Sequence, residues 1–419
     1  MDAAWLRMDS DAQRMMITTI LRFDGVLTFA EVEALVRARL LAHKRFRQRV
    51  VESSLPGVGP SWEEDPRFTL SSHLHRAALP APHDESALTS FASELASQVL
   101  DPRAPLWQMH VIEDAPGGTA LVTRIHHAVG DGVSLVRLLL SITDEGDAAA
   151  PAAVGLTLAP APSGLAQRVR LVADHAATLA HLVALPSDAK TQLRGELCRD
   201  KRLAVAPPLS IASLKRAGAP FGAKVNDVLL SLAAGATRRY LIACGAAVDE
   251  LELRALVPVF FQGFGAVEAL GNHFGLVFAP LLVGIADPVA RLRAVKARMD
   301  ALKVSSEAIV SLEVLALMGA AGPDAERLGI DVFTRKASML LTNVPGPVSH
   351  LHLAGKTLVD LIVWAPVAGH VGVGVSMVSY GGAVRVGVLS DALRVPDPDA
   401  IAAGFHSELA ALEASSIGA

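Results

Sequence analysis

The chain has 419 residues, 51% of them apolar, and a formal net charge of -4. That length exceeds what one hydrophobic core usually serves, so two domains are expected, and the apolar content excludes general disorder. The near balance of charge argues against a nucleic-acid partner, and the only cysteines, Cys198 and Cys244, have neither disulfide-framework nor metal-ligand spacing.

The start, Met1-Asp2-Ala3-Ala4-Trp5, has no basic leader, so no signal peptide is expected. Residues 15–23 read as a buried strand closed by Asp24-Gly25. Thr28 and Glu31 form a capping box, with Leu27 and Val32 as a hydrophobic staple, and predict a helix with Val32, Leu35, Val36, Leu40 and Leu41 on one face. Residues 56–66 read as a loop and 86–100 as a second helix, ending at Asp101-Pro102. Strands follow at 106–112 and 119–125, joined by the turn sequence Asp114-Ala115-Pro116-Gly117-Gly118, and a helix starts near Val133.

From 147 to 164 the composition shifts to Ala, Pro, Gly and Ser with almost no charge. This stretch reads as a linker between an N-terminal domain, 1–146, and a C-terminal domain, 165–419. Residues 165–185 form an amphipathic helical pattern. Its thin polar face (Arg168, Arg170, Asp174, His175, His181) suits packing on the protein better than lying in a membrane surface. A helix is predicted over 226–244 and strands over 253–261 and 275–283. Asp287-Pro288 opens a helix to about 302, strands follow at 338–342, 371–379 and 383–389, and Asp397-Pro398 opens the last helix. The uncharged run 361–384 is broken by proline and glycines and alternates as strands do, so it is no membrane span. The result is a mixed α/β (α+β) chain of two halves, with strands too scattered for a Rossmann sheet.

One stretch carries chemistry: Ile125-His126-His127-Ala128-Val129-Gly130-Asp131-Gly132, at the junction of two apolar runs. Imidazole exchanges a proton near neutral pH and is the commonest general base. Neighbouring strand residues face opposite sides, so one histidine can reach a substrate channel while the other packs or orients. Asp131 can brace the loop, through a hydrogen bond or an arginine; Gly132 permits a sharp turn and leaves room for a thioester. A metal site is disfavoured, because adjacent histidines diverge and no third ligand cluster is visible. Gly132-Val133-Ser134 and Gly374-Val375-Ser376 lack the closing glycine of a nucleophile elbow, which disfavours a serine hydrolase. Neither cysteine has a recognisable catalytic setting, so acyl transfer without an acyl-enzyme is expected.

His126 to Gly132 matches the HHxxxDG signature of the CoA-dependent acyltransferase superfamily, and the chain resembles the bacterial wax ester synthase/diacylglycerol acyltransferase family. Pro105-Leu106-Trp107 is similar to that family's PLW segment and Val225-Asn226-Asp227-Val228-Leu229 to its ND motif. Leu270-Gly271-Asn272-His273-Phe274-Gly275 and Thr342-Asn343-Val344-Pro345-Gly346-Pro347 follow, then Ser379-Tyr380-Gly381, Asp391 and Val395-Pro396-Asp397, in the expected order from Trp5 to Leu412. Phe260-Phe261-Gln262 stand where the family usually has a basic residue, which bears on substrate preference.

The resemblance implies two similar chloramphenicol-acetyltransferase-like domains with mixed sheets around a central tunnel. It implies His127 as the base that deprotonates an acceptor alcohol, a structural Asp131, and Asn226 and Asp227 as support where the domains meet. Acyl-CoA is the implied co-substrate, with no bound cofactor. The implied acceptor is diacylglycerol or a long-chain alcohol, giving triacylglycerol or wax ester. The cysteine usage fits a reducing cytoplasm, and those acceptors imply peripheral contact to the inner membrane or lipid inclusions. Read from the residues alone, Asn226-Asp227 equally suits the cap of a helix and 342–347 a rigid turn, and Ser376 and Ser379 suit backbone-bonded strand serines. The rival reading is a weakly active or non-catalytic lipid-binding protein of the same fold on storage-lipid surfaces.

Overall fold

Local signals set where the elements begin. The helix Phe29–Ala38 starts at Thr28, whose N–H donates to Glu31 Oε2 at 2.8 Å while its Oγ1 accepts the Glu31 N–H at 3.3 Å. Asp287 Oδ1 accepts the Ala290 N–H at 2.6 Å to open Pro288–Lys303, and Asp397 does the same for Pro398–Ser416 through Ala400 at 3.3 Å. The helix Val225–Ala243 starts within one residue of the predicted 226–244. Asn226 and Asp227 lie in its first turn, where Asp227 caps it by accepting the Lys224 N–H on Oδ2 at 2.9 Å.

The computed structural model describes residues 2–53, 59–146, 156–157, 165–262, 272, 274–303, 305–321 and 323–416. The proposed linker 147–164 therefore lies outside the described residues except for Leu156–Thr157, a short strand beside Phe261 and Gln262. Leu270, Gly271 and His273 of the 270–275 motif also lie outside them. The stretch 56–66 is not wholly loop, because Ser61–Glu64 pairs antiparallel with Gln48–Val51.

Two mixed sheets carry the molecule. The first runs, in order, His352–Leu353, Lys356–Trp364, Met16–Asp24, Gly118–His126, Trp107–Ala115 and Leu74–Arg76, antiparallel except for its last pair. The second runs Phe274–Leu281, Leu253–Gln262, Met339–Pro345, Val373–Tyr380, Ala383–Asp391 and Lys201–Val205, with parallel pairs on both sides of Met339–Pro345. Lys356–Trp364, from the far half of the chain, pairs along Met16–Asp24, with Ile20 opposite Ile362. Sheet membership thus crosses the 147–164 stretch.

The strands Lys356–Trp364 and Ala383–Asp391, one from each sheet, approach closely at Gly387. A Cβ there would lie 2.7 Å from Val363 O and 2.9 Å from Trp364 Nε1, the nitrogen that donates to Ala204 O at 3.1 Å. The motif glycine Gly346 works similarly: an added Cβ would sit 2.3 Å from Ser379 O, and its N–H donates to Ser379 Oγ at 3.2 Å. The 342–347 and 379–381 motifs therefore interlock. Tyr380 adds a brace, accepting the Leu351 N–H and donating to Leu358 O, both at 2.8 Å. Trp107 is buried and donates to Phe46 O at 2.9 Å, so the tryptophan of the 105–107 segment is a packing residue.

Candidate active site

The double histidine ends the strand Gly118–His126 and is pinned by backbone bonds. His126 N–H donates to Leu106 O at 3.0 Å and His127 N–H to Met15 O at 2.7 Å. From there the side chains part. His126 Nδ1 lies 3.1 Å from the Ala128 N–H, which can only donate, so Nδ1 accepts. The ring hydrogen then belongs on Nε2, which donates to Asp9 Oδ2 at 3.1 Å.

His127 is held the opposite way by Asn272. The His127 carbonyl can only accept, so it takes the Asn272 amide N–H at 3.1 Å. That turns Oδ1 of the same amide toward His127 Nδ1, 2.9 Å away, so Nδ1 carries the ring hydrogen and Nε2 its lone pair. Trp5, from the short helix Asp2–Met8, stacks on the imidazole with centroids 3.8 Å apart and planes 19° from parallel, and Phe274 approaches at 6.1 Å. Burial among these groups pushes the His127 pKa down to about 4. The ring is therefore neutral at physiological pH.

Asp131 and Gly132 start the next helix, Gly132–Ser141. Asp131 Oδ1 accepts the Ser134 N–H at 2.9 Å, an N-cap, and its carbonyl accepts the Leu135 N–H at 2.9 Å. Gly132 has no left-handed φ, so the backbone does not demand glycine there. The reason lies in space: a Cβ on Gly132 would meet no atom within 4 Å. It would project from the wall of a cavity.

That cavity, of about 160 Å³, lies between the sheets and is bounded by His127, Asp131 and Gly132. Its walls are Ile17 and Val363 from the first sheet, and Leu256, Pro258, Phe260, Phe274 and Leu340 from the second. Gly329, Ile330 and Phe333 of the helix Pro323–Thr334 close a further side. Phe260, where the family usually has a basic residue, makes this wall apolar. Thr342 and Ser376, opposite each other on adjacent strands, are among its few polar groups. Ser376 Oγ accepts the Ala365 N–H at 3.0 Å and keeps its own hydrogen to donate.

Asn226 and Asp227 do not line the cavity. Asn226 Oδ1 accepts from Asn343 Nδ2 at 3.0 Å, which joins the 225–229 and 342–347 motifs. Asp227 is buried, bonded to Lys224 N and 3.6 Å from Lys303 Nζ. Three residues in contact with the histidine pair were not singled out from sequence: Trp5, Asp9 and Asn272. Asn272 carried a signal, since it sits in the 270–275 motif, but nothing in that motif tied it to His127.

Residues 1–179 match the wax ester synthase/diacylglycerol acyltransferase catalytic domain, and residues 270–413 match the WS/DGAT C-terminal domain. The chain belongs to the wax ester synthase/diacylglycerol acyltransferase family. It is an acyltransferase by that membership. A Mycobacterium tuberculosis protein assigned by name as a diacylglycerol O-acyltransferase is 29% identical, across 98% of this chain and 88% of its own length. A second from that organism, with the same kind of name, is 28% identical across 90% of this chain and 86% of its own. The wax ester synthase/diacylglycerol acyltransferase of Marinobacter aquaeolei VT8 has the same fold, with a TM-score of 0.73 at 22% identity over 99% of this chain and 98% of that one. The first condensation domain of the calcium-dependent antibiotic synthetase follows the same path, with a TM-score of 0.63 at 16% identity over 98% and 94%. The fold is thus the mixed α/β arrangement that the family resemblance implies.

Proposed function

We propose that the chain moves a fatty acyl group from acyl-CoA to the hydroxyl of a diacylglycerol or a long-chain alcohol, with His127 as general base. The observation that carries this reading is a neutral imidazole whose Nδ1 is engaged by Asn272 while the residue borders an apolar cavity. Nε2 takes the proton of the acceptor hydroxyl as its oxygen attacks the thioester carbonyl. The C–S bond then breaks, and the imidazolium returns the proton to the departing thiolate, leaving ester and CoA. Neither Cys198 nor Cys244 borders the cavity, which supports direct transfer rather than an acyl-enzyme. The names of the mycobacterial relatives support the diacylglycerol class, and a condensation domain of similar fold solved with C8-CoA supports the donor class.

The acceptor is met at a lipid surface. Among the described residues no helix is long and apolar enough to cross a membrane. The helix Leu165–Ala184 buries Leu182 against the protein but leaves Val172, Leu179 and Val183 exposed on one side. Leu328 and Val332 are exposed on the helix Pro323–Thr334, whose other side borders the cavity. Exposed apolar groups of this kind fit a bilayer or lipid-droplet surface. The test is CoA release from long-chain acyl-CoA with fatty alcohol and with vesicle-borne diacylglycerol, assayed separately, alongside sedimentation with the vesicles. Release with at least one acceptor is expected; none with either would overturn the reading. Unchanged sedimentation of a Val172→Glu/Val183→Glu variant would remove the surface contact alone.

Gly132 supplies a second test. Gly132→Val is expected to melt as wild type, since the added Cβ meets nothing, yet to lower kcat/KM about tenfold or more by narrowing the cavity beside His127. Unaltered kinetics would show that substrate does not pass this wall.

A further inference from the structure

The geometry points to Asn272 as the positioning residue of the reaction: its side-chain amide locks His127 in the Nδ1–H form and so presents Nε2 as the proton acceptor. The inference rests on His127 being the base, and it concerns what makes that histidine one. Two bonds carry it, at 2.9 and 3.1 Å, both buried. Each fixes the other. The second, to the His127 carbonyl, prevents the amide from turning over, so Oδ1 is the amide atom that faces the ring, where the ring also bonds the carbonyl of His127 itself. A flipped amide would set an N–H against Nδ1 and move the ring hydrogen to Nε2, which would leave no lone pair for the acceptor hydroxyl.

The choice of an amide has an electrostatic consequence. A carboxylate at this position would also fix the tautomer, but it would stabilise imidazolium and raise the proton affinity of the base. Asn272 orients without charging. The other elements packed around the ring add no charge either: Trp5 comes from the first helix, Phe274 from its strand, and Gly329, Ile330 and Phe333 from across the cavity. The titratable neighbours are His126, tied to Asp9, and Asp131, tied into the head of its helix. With burial holding the His127 pKa near 4, the base is uncharged from about pH 5 upward. Its protonated, inactive form gains population only on acidification. The kcat/KM profile of the wild type is accordingly expected to be flat through neutrality and to fall below about pH 4, as far as the protein stays folded.

The experiment compares wild type, Asn272→Ala and Asn272→Asp in the full chain, with thermal melting to establish folding. Histidine-selective ¹⁵N spectra, assigned by the signal lost in His127→Ala, read the tautomer without any turnover. Wild type is expected to show His127 protonated at Nδ1. Asn272→Ala is expected to redistribute the hydrogen toward Nε2 and to lower kcat about 100-fold, with KM for acyl-CoA changed less than about threefold. Asn272→Asp is expected to recover part of the rate at pH 8 and to move the acid limb of kcat/KM upward by about one pH unit or more. An unchanged His127 tautomer in Asn272→Ala would overturn the inference. So would Ala and Asp variants with equal losses and the same acid limb, the pattern of a packing role. Turnover surviving in His127→Ala, with the tautomer behaving as stated, would instead overturn the reading of His127 as base and leave the clamp intact.

Discussion

His127→Ala is expected to lower kcat about 1000-fold or more, whereas His126→Ala, one residue away, is expected to lower it about tenfold at most. The contrast follows from where the rings go. His127 borders the cavity with Nδ1 occupied by Asn272, while His126 spends Nδ1 on the Ala128 N–H and Nε2 on Asp9. Only the first has a nitrogen available to a substrate. The His127 variant loses a stacking contact with Trp5, of about 0.5–1.5 kcal/mol, and a buried hydrogen bond, of about 1 kcal/mol. A drop of that size in unfolding free energy should leave the protein folded near room temperature. The check is single-turnover CoA release beside acyl-CoA binding by the same variant. Binding retained with turnover lost is the expected result. Equal losses in the two histidine variants would mean that the loop, and not one imidazole, was being measured.

The pattern of legibility has a physical basis. What could be read from sequence was local: the Thr28–Glu31 box, the Asp287 and Asp397 caps, and the hairpin around Pro116-Gly117-Gly118 each depend on residues a few positions apart. The histidine pair was readable because a motif gathers it into seven residues. Asn272 was not readable as its partner, since a contact across 145 positions leaves no period or spacing in the chain. Trp5 sits in a seven-residue helix, too short to show an apolar stripe. The helix Glu307–Ala321 escaped for the opposite reason. Its sequence, Glu-Ala-Ile-Val-Ser-Leu-Glu-Val-Leu-Ala-Leu-Met, is apolar nearly all round and so has no amphipathic signal. Lys356–Trp364 contains a β-rich run, but its partner is Met16–Asp24, and no local feature names a strand more than 300 residues away. The motif residues Asn226, Asn343, Gly346, Ser379 and Tyr380 are bonded across helix, strands and turns that lie far apart in the chain, which no local pattern shows.

Asp391 offers the sharpest separation of a structural motif residue from a chemical one. Its carboxylate is fully buried and meets Lys201 Nζ at 2.7 Å, with the Cys198 and Leu393 N–H groups at 2.8 and 3.1 Å. Lys201, equally buried, also donates to Ala12 O at 2.8 Å and Cys198 O at 2.6 Å, so the pair ties the start of the chain to a strand of the second sheet. Asp391→Ala strips the ammonium of its counter-charge where water cannot replace it, and such breaks cost about 3–5 kcal/mol. A large fall in melting temperature and folded yield is therefore expected. Turnover per folded molecule should stay within about twofold of wild type, because neither residue borders the cavity. Adding Lys201→Met removes the stranded charge and should recover part of the loss, so the double variant should be more stable than Asp391→Ala. Chemical denaturation of the three variants, with activity scored on the folded fraction, reads both quantities. A variant that melted normally but had lost turnover would return Asp391 to the reaction; the buried pair predicts the reverse.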